Sequence, residues 1–320
     1  MKKRIINFGI KARKACKNSI SNDVKNKVLR KFSYLIKKNT NKILFQNQKD
    51  ITNALNKNLK KNMIKRLELN QNKIEGIISS IKKISKLKDP VNSVLDEWKR
   101  PNGLKIRRVS IPLGVIGVIY ESRPNVTADV SCLCFKSGNC VILKGGSESY
   151  FSNKIISDLF RKSLRAYNVD KNFVQFIDIK DRSAVGIMLS SMEKYIDVII
   201  PRGGKNLVKK VKQLSSVPII GHLEGVCHTY IDKNADLKMS EKIIINAKMR
   251  NTSICGATET LLIHEKVLKR FINPILSKLE EAKCVIYADK KIKKIYKGNV
   301  LKAKKNNWGK EYLSSKISVK

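Results

Sequence analysis

The chain has 320 residues, which is enough for two domains that each bury a core. Its formal net charge is +41, but the few aromatic residues do not interleave with the basic runs as they would in a single-strand-binding surface. The lysines accompany many Asn and Ile residues, all encoded by A/T-rich codons, so compositional drift accounts for the charge without a specific nucleic-acid partner. No apolar stretch reaches the roughly 18 residues that span a bilayer.

Residues 1–87 show the pattern of helices that each bury one face. In the segment 74–90, isoleucines recur at helical spacing, and the pattern ends at Asp89 and Pro90. These isoleucines are Ile74, Ile77, Ile78, Ile81 and Ile84. The region is otherwise rich in lysine, which predicts helices at the surface.

From Val109 onward, apolar β-branched segments alternate with helical patterns. Predicted strands occupy residues 109–122, 139–146, 172–178, 196–204, 217–222, 227–232, 259–264 and 284–289, and a further strand begins at the last residues. Predicted helices separate most of these strands. The alternation predicts an α/β fold in which parallel strands are buried on both faces.

Three glycine-containing loops follow predicted strands, where open α/β sheets bind their ligands. They are Lys144-Gly145-Gly146-Ser147-Glu148, Arg202-Gly203-Gly204-Lys205 and residues 221–225. Backbone N–H groups in such loops approach a phosphate, but neither glycine pair forms a GxGxxG motif or a P-loop. The pattern alone favours tight strand-to-helix turns with positive φ, and phosphate binding is the alternative.

Asn125 and Cys255 each have a structural and a chemical interpretation. Asn125 precedes a predicted helix, so its pattern favours a helix N-cap over an amide that stabilises an oxyanion. Cys255 lies beside Gly256 among small residues that leave room for a substrate, yet the pattern alone favours a buried, inert thiol over a nucleophile. His222 and His228 fit ordinary core or surface positions better than catalytic ones.

The cysteines are odd in number, irregularly spaced and mostly within apolar runs. They are Cys16, Cys132, Cys134, Cys140, Cys227, Cys255 and Cys284. This usage favours reduced thiols in a cytoplasmic protein, and the basic N-terminus lacks the apolar core of a signal peptide. Cys132 and Cys134 have no second cysteine pair, so no metal site is predicted.

Several long motifs occur in a recognisable order. They are residues 94–149, DVIIPRGGKNLV (197–208), VPIIGHLEGVCHTYIDKNADL (217–237) and INAKMRNTSICGATETLLIH (245–264). Together they resemble the gamma-glutamyl phosphate reductases, which belong to the aldehyde dehydrogenase superfamily. The helical segment 66–91 resembles the N-terminal part of that family, so the resemblance covers roughly residues 10–320.

The resemblance implies an aldehyde-dehydrogenase-like fold. Its parts would be a helical region at 1–104, a Rossmann-type cofactor domain at 105–231 and a second, catalytic α/β domain at 232–320. The implied reaction reduces L-glutamate 5-phosphate with NADPH to L-glutamate 5-semialdehyde and phosphate, the second step of proline biosynthesis. Complete members are expected to form homo-oligomers, and glutamate 5-kinase is an expected partner.

The resemblance also assigns site residues. The family's nucleophile falls on Cys255 and its oxyanion-binding amide on Asn125, with the backbone N–H of Cys255 as a second donor. Its cofactor-binding positions fall on Lys144, Gly145, Gly146, Ser147 and Glu148 around the adenosine ribose, and on Arg202, Gly203 and Gly204 near the phosphates. His222 stands where hydrolytic aldehyde dehydrogenases carry a base glutamate, which a reductase that releases an aldehyde does not need.

Two features depart from the family pattern. Gly256 follows the cysteine, where the family often has Asn, and family members continue well beyond the position at which this sequence ends. The sequence therefore predicts a truncated reductase with an incomplete catalytic domain. An inactive remnant of this enzyme is the main alternative, and a basic nucleic-acid-binding protein is another.

Overall fold

Helices form the N-terminal region, as its amphipathic pattern predicts. They are α1 (Lys2–Cys16), α2 (Asn22–Lys38), α3 (Thr40–Asn56), α4 (Lys61–Leu67) and α5 (Gln71–Lys86). The computed structural model describes residues 1–59 and 61–320. The Asn70 side chain accepts a hydrogen bond from the backbone N–H of Lys73 at 2.9 Å and so fixes the start of α5. The isoleucine stripe of α5 is confirmed as its buried face, with Ile78 at the edge of that face.

An antiparallel hairpin follows these helices and was not predicted from the sequence. Strands β1 (Val94–Lys99) and β2 (Lys105–Val109) pair with Trp98 opposite Ile106. Almost all residues of both strands are exposed, so they lack the alternation of apolar and polar residues that marks a half-buried strand. The sequence-based boundary after residue 104 falls directly before β2 and so separates the two strands of the hairpin.

The first parallel sheet has the strand order β5-β4-β3-β6. Its strands are β3 (Val115–Tyr120), β4 (Cys140–Gly145), β5 (Val174–Phe176) and β6 (Val198–Arg202). The helices α6 (Pro124–Lys136), α7 (Tyr150–Arg165), α8 (Ser183–Ser190) and α9 (Lys205–Leu214) follow these strands in turn. Every residue of β3 and β4 is buried, which confirms the two-sided burial that their apolar runs predict.

The segment 217–222 is not the strand that its apolar residues predict. Only Ile219 pairs, through an isolated bridge to Ile199 of β6. The next hydrogen bond along this ladder would need an N–H from Pro201, and proline has none. The strand prediction for this segment is therefore wrong, although the segment lies beside the sheet.

The described chain divides into two units, residues 1–221 and 222–320. The second unit contains a parallel sheet in the order β10-β9-β11-β8-β7. Its elements are β7 (Cys227–Ile231), α10 (Leu237–Met249), β8 (Thr258–Ile263), α11 (Leu268–Glu281), β9 (Val285–Ala288), α12 (Lys290–Ile295), β10 (Val300–Lys302) and β11 (Lys316–Val319). Since β7 pairs with β8, it belongs to this second sheet, whereas the sequence-based boundary after residue 231 placed it in the first domain.

Each unit has a hydrophobic core of its own. In the first, the ring of Phe135 packs edge-on against Phe160 and Phe173, with centroid distances of 5.8 and 5.6 Å. In the second, Phe271 of α11 is fully buried against the sheet. The predicted α/β fold is confirmed. Within residues 1–59 and 61–320, no helix is both long enough and apolar enough to cross a bilayer.

Candidate active site

The carboxyl edge of the first sheet gathers the residues that the sequence assigns to cofactor binding. In the register of the sheet, Lys144 lies beside Ile119 and Arg202 lies beside Tyr120. Because β4, β3 and β6 are parallel neighbours, the loops that follow them share one edge. The loops 144–148 and 202–204 therefore flank the loop that follows β3.

Lys144 is buried at this edge, with only 4% of its surface exposed. Its Nζ atom donates a hydrogen bond to the carbonyl oxygen of Gly145 at 3.0 Å. Burial lowers the pKa of Lys144, and the nearby carboxylates of Glu148 and Asp181 partly oppose that shift. The charged form of a buried ammonium group is stabilised when an anionic ligand binds beside it.

Two carboxylates accept hydrogen bonds from groups in these loops. Glu148 Oε1 accepts hydrogen bonds from both the backbone N–H and the hydroxyl of Ser122, each at 2.8 Å. Glu121 Oε2 accepts one from the N–H of Gly204 at 3.0 Å, at the start of α9. Sequence reasoning did not single out Glu121, although a carboxylate directly after a buried strand was a usable signal. At this edge, N–H and hydroxyl groups thus donate to carboxylate oxygens of the chain itself.

Gly145 is required by close packing and not by a special backbone angle. A Cβ atom at this position would lie 2.2 Å from Asn153 Nδ2, in a buried network that also contains Thr127. Gly146 and Gly204 have φ angles of −61° and −69°. The interpretation of these loops as turns that need positive φ is therefore wrong.

Asn125 is the second residue of α6, and Arg123 occupies the N-cap position. The N-cap interpretation of Asn125 is therefore wrong. Its exposed side-chain amide donates a long hydrogen bond of 3.4 Å to Asp129 Oδ2, one helical turn further on. Asp129 Oδ1 in turn accepts a 2.8 Å hydrogen bond from the hydroxyl of Ser80 on α5. An amide has two N–H groups, so the second remains able to donate to a ligand.

Cys255 lies in the second unit, in the turn that leads into β8, and it is exposed. The interpretation of this residue as a buried thiol is therefore wrong. The loop before β7 passes so close that a Cβ atom at Gly225 would lie 2.5 Å from the Cys255 carbonyl oxygen. The thiol of Cys227 also donates to that oxygen at 3.2 Å. The backbone around Cys255 is thus held from two sides while its side chain stays accessible.

The other cysteines contrast with Cys255. Cys132, Cys134, Cys140 and Cys284 are buried, whereas Cys16 and Cys227 are partly exposed. Burial raises the pKa of Cys134 to about 12 and that of Cys284 to about 11, so these thiols are poor nucleophiles at neutral pH.

His222 is exposed in the loop before β7. Among the residues that the structure describes, no group of three or more His, Cys, Asp or Glu side chains is arranged to hold a metal ion.

Residues 11–316 match the aldehyde dehydrogenase family, and the chain belongs to that family. It is 46% identical over 301 residues to the gamma-glutamyl phosphate reductase of Bartonella quintana, a match that covers 94% of this chain and 73% of that protein. The crystal structure of gamma-glutamyl phosphate reductase from Thermotoga maritima is 36% identical, with a TM-score of 0.86 over 98% of this chain and 76% of that one. Within the aldehyde dehydrogenases, the chain is a member of the gamma-glutamyl phosphate reductases.

More distant members share the fold alone. The acetylating aldehyde dehydrogenase of Geobacillus thermoglucosidasius is 14% identical, with a TM-score of 0.61 over 99% of this chain. The family resemblance and the aldehyde-dehydrogenase-like fold inferred from the sequence are thereby confirmed.

Proposed function

We propose that this chain reduces L-glutamate 5-phosphate with NADPH to L-glutamate 5-semialdehyde and phosphate, the second step of proline biosynthesis. The observation that carries the proposal is the exposed Cys255 at the entrance to β8, in a member of the gamma-glutamyl phosphate reductases. A thiol that is accessible on a firmly held loop suits nucleophilic catalysis. The four buried cysteines lack that access.

In the proposed reaction, the Cys255 thiolate attacks the carbonyl carbon of the acyl phosphate. The carbon–oxygen bond to phosphate breaks, phosphate leaves, and a thioester to Cys255 remains. NADPH supplies the hydride that reduces the thioester carbonyl. The resulting tetrahedral species then collapses, so that the carbon–sulfur bond breaks and the aldehyde and the Cys255 thiolate are released.

Asn125 is the proposed donor to the oxyanion that develops in each step. Its amide is exposed, and its hydrogen bond to Asp129 restrains the side chain while one N–H remains available. The backbone N–H of Cys255 is the proposed second donor. Removing one such donor typically lowers the rate by about 100-fold to 1,000-fold.

Enzymes of this family use a nicotinamide cofactor, and its proposed binding site is the carboxyl edge of the first sheet. The residues proposed to hold it are Lys144, Gly145, Gly146, Ser147 and Glu148 around the adenosine ribose and Arg202, Gly203 and Gly204 near the phosphates. The buried ammonium of Lys144 and the N–H groups that now serve Glu121 and Glu148 form a donor set that fits phosphates and ribose hydroxyls. NADPH is proposed over NADH because Lys144 and the Ser147 hydroxyl suit a 2′-phosphate.

A homo-oligomer is the proposed assembly. The hairpin β1–β2 supports it, because large apolar side chains are exposed there. They are Val94, Leu95, Trp98, Leu104 and Val109. Light scattering on the purified chain tests whether it forms a homo-oligomer. Glutamate 5-kinase stays a predicted partner.

The activity is tested in reverse, as phosphate-dependent reduction of NADP by pyrroline-5-carboxylate. Cys255→Ser should abolish the signal. Cys16→Ser, which removes a half-buried thiol of the first unit, should retain it. A folded chain that binds NADP but gives no phosphate-dependent turnover would instead support the alternative, an inactive member of the family.

A further inference from the structure

A cavity of about 400 Å³ opens between α4, α5 and α6 of the first unit. Its polar wall is formed by Arg66, Glu68, Lys73, Ser80, Asn125 and Asp129, and Gly76 also lines it. Apolar surface comes from Leu69 and Ile77. The proposed oxyanion donor is therefore part of the wall of a cavity that also carries positive and negative charges.

Two carboxylate residues line this cavity: Glu68, which is exposed in the segment after α4, and Asp129 on α6, whose carboxylate is held in place. Ser80 holds one of the Asp129 carboxylate oxygens at 2.8 Å, and Asn125 approaches the other at 3.4 Å. Each carboxylate oxygen has a second acceptor site, so Asp129 is still able to accept hydrogen bonds from an ammonium group. The contacts from two different helices fix the direction in which this charge points.

The basic side of the cavity is Arg66. Among the residues that the structure describes, its guanidinium has no hydrogen-bond or ion-pair partner, and the side chain is exposed. Lys73 is already engaged, since its Nζ donates to the carbonyl oxygens of Lys65 and Glu68 at 3.2 and 2.6 Å. Arg66 is thus the cation available for a bidentate contact with a carboxylate.

We propose that this cavity binds the amino-acid end of the substrate, with Asp129 contacting the α-ammonium group and Arg66 the α-carboxylate. The inference rests on the proposed function, because it takes Asn125 as the donor to the reacting carbonyl. Only two methylene groups separate that carbonyl from the α-carbon. A carbonyl oxygen at hydrogen-bond distance from Asn125 therefore places the α-carbon beside Asp129, whose Oδ2 is 3.4 Å from the same amide.

The contact between Asp129 and the α-ammonium group is tested by comparing kcat/KM for two substrates. In the reverse reaction, kcat/KM is measured for glutamate semialdehyde and for 5-oxopentanoate, which lacks the amino group. Asp129→Asn should lower the preference for the amino substrate by about tenfold to a hundredfold relative to wild type. An effect of Asp129 on Asn125 would reduce both rates alike and cancel in this ratio. A ratio that stays at the wild-type value overturns the assignment of Asp129.

The carboxylate contact is tested at Arg66. Arg66→Gln should raise KM by about tenfold for both substrates, because both carry the carboxylate. Lys65→Gln is the matched control, since Lys65 is the neighbouring cation of α4 and does not line the cavity. Equal KM values for Arg66→Gln and Lys65→Gln would overturn the role of Arg66.

The position of the site is tested by filling the cavity. A Cβ atom at Gly76 or at Gly186 meets no heavy atom within 4 Å, but only Gly76 lines the cavity. Gly76→Leu should raise KM at least about fivefold without loss of thermal stability, because leucine is the better helix former. Gly186→Leu should leave KM unchanged, and equal KM values for the two variants overturn the location. Inactivity of the wild-type chain would overturn the proposed function itself, whereas unchanged variants of an active chain overturn only this site.

Discussion

A Cβ atom at Gly225 would lie 2.5 Å from the carbonyl oxygen of Cys255 and 3.2 Å from its Cβ atom. The obstacle is the backbone of the cysteine loop, which cannot rotate away as a long side chain would. The loop before β7 thus reaches the cysteine only because position 225 has no side chain. The N–H of Gly225 is also held, by a 3.1 Å hydrogen bond to Glu311.

Gly225→Ala should therefore displace the Cys255 loop and lower kcat by about 100-fold, while the chain stays folded. The measurement is steady-state kinetics together with the thermal midpoint. Gly256→Ala is the control, because a Cβ atom at Gly256 meets no heavy atom within 4 Å. If the two variants have equal kcat values, the close approach of Gly225 does not position the cysteine.

The sequence predicted those elements whose residues carry a strong local pattern. The stripe on α5 and the apolar runs of β3 and β4 are examples, because burial of a helix face or of a whole strand dictates residue type directly. The exposed hairpin β1–β2 escaped prediction because solvated strands impose no such pattern. The false strand at 217–222 arose because an apolar run favours a strand, whereas only Val217 is buried and Pro201 stops the ladder after Ile219.

The sequence likewise located some residues of the candidate site and missed others. Cys255 and Asn125 were located through long motifs, since local pattern alone favoured a buried thiol and an N-cap. Asp129 was not found, because its significance depends on a contact between helices that are distant in sequence, whereas Glu121 was overlooked although it directly follows a buried strand. The contact of Ser80 with Asp129 joins α5 to α6, and no spacing rule within either helix predicts it.

Cys16 should react with iodoacetamide at unusually low pH. A hydrogen bond from the Cys140 side chain lowers the pKa of Cys16 to about 6, against an opposing effect of burial and with help from Arg13. The thiolate therefore predominates above pH 6, whereas an ordinary cysteine ionises near pH 8.5. Mass spectrometry of the Cys16 peptide over pH 5 to 9 gives the rate profile. An inflection near pH 8.5 would contradict this prediction, and Cys140→Ala should move the inflection upward.

Lys144→Met should stabilise the fold and weaken NADPH binding. Burial lowers the pKa of Lys144, so the charged form is less favourable in the folded chain than in the unfolded chain. This cost is fully present below the folded-state pKa and fades as the pH rises towards the ordinary lysine pKa near 10.4. The gain from the substitution is therefore expected at neutral pH, at about 1 kcal/mol, and should shrink in alkaline solution.

Urea unfolding at pH 7 and pH 10 measures that gain, and fluorescence titration measures NADPH affinity. Lys154→Met is the control, because the Lys154 side chain is partly exposed and pairs with Asp158 at the surface. A Lys144→Met chain that binds NADPH as tightly as wild type would remove Lys144 from the cofactor site. A loss of stability at pH 7 would show that its hydrogen bond to Gly145 outweighs the cost of burial.

Lys248 and Glu259 form a buried ion pair in the second unit, with exposures of 0% and 1% and an N–O distance of 2.6 Å. The other oxygen of Glu259 accepts a 3.1 Å hydrogen bond from the N–H of Leu313. Glu259→Ala would leave the Lys248 ammonium buried without its partner. We expect a loss of about 3–5 kcal/mol in the free energy of unfolding, measured with urea.

The double variant Lys248→Met with Glu259→Leu should recover most of that loss, because neither position then carries a buried charge. Lys27→Ala provides the comparison, since its pair with Asp23 is exposed on both sides and should contribute at most about 1 kcal/mol. Glu259 is part of β8, directly after the Cys255 turn, so the single variant should also lower kcat while the double variant restores it. If the double variant is as unstable as Glu259→Ala, the buried charge is not the cause, and the lost hydrogen bond to Leu313 accounts for the effect.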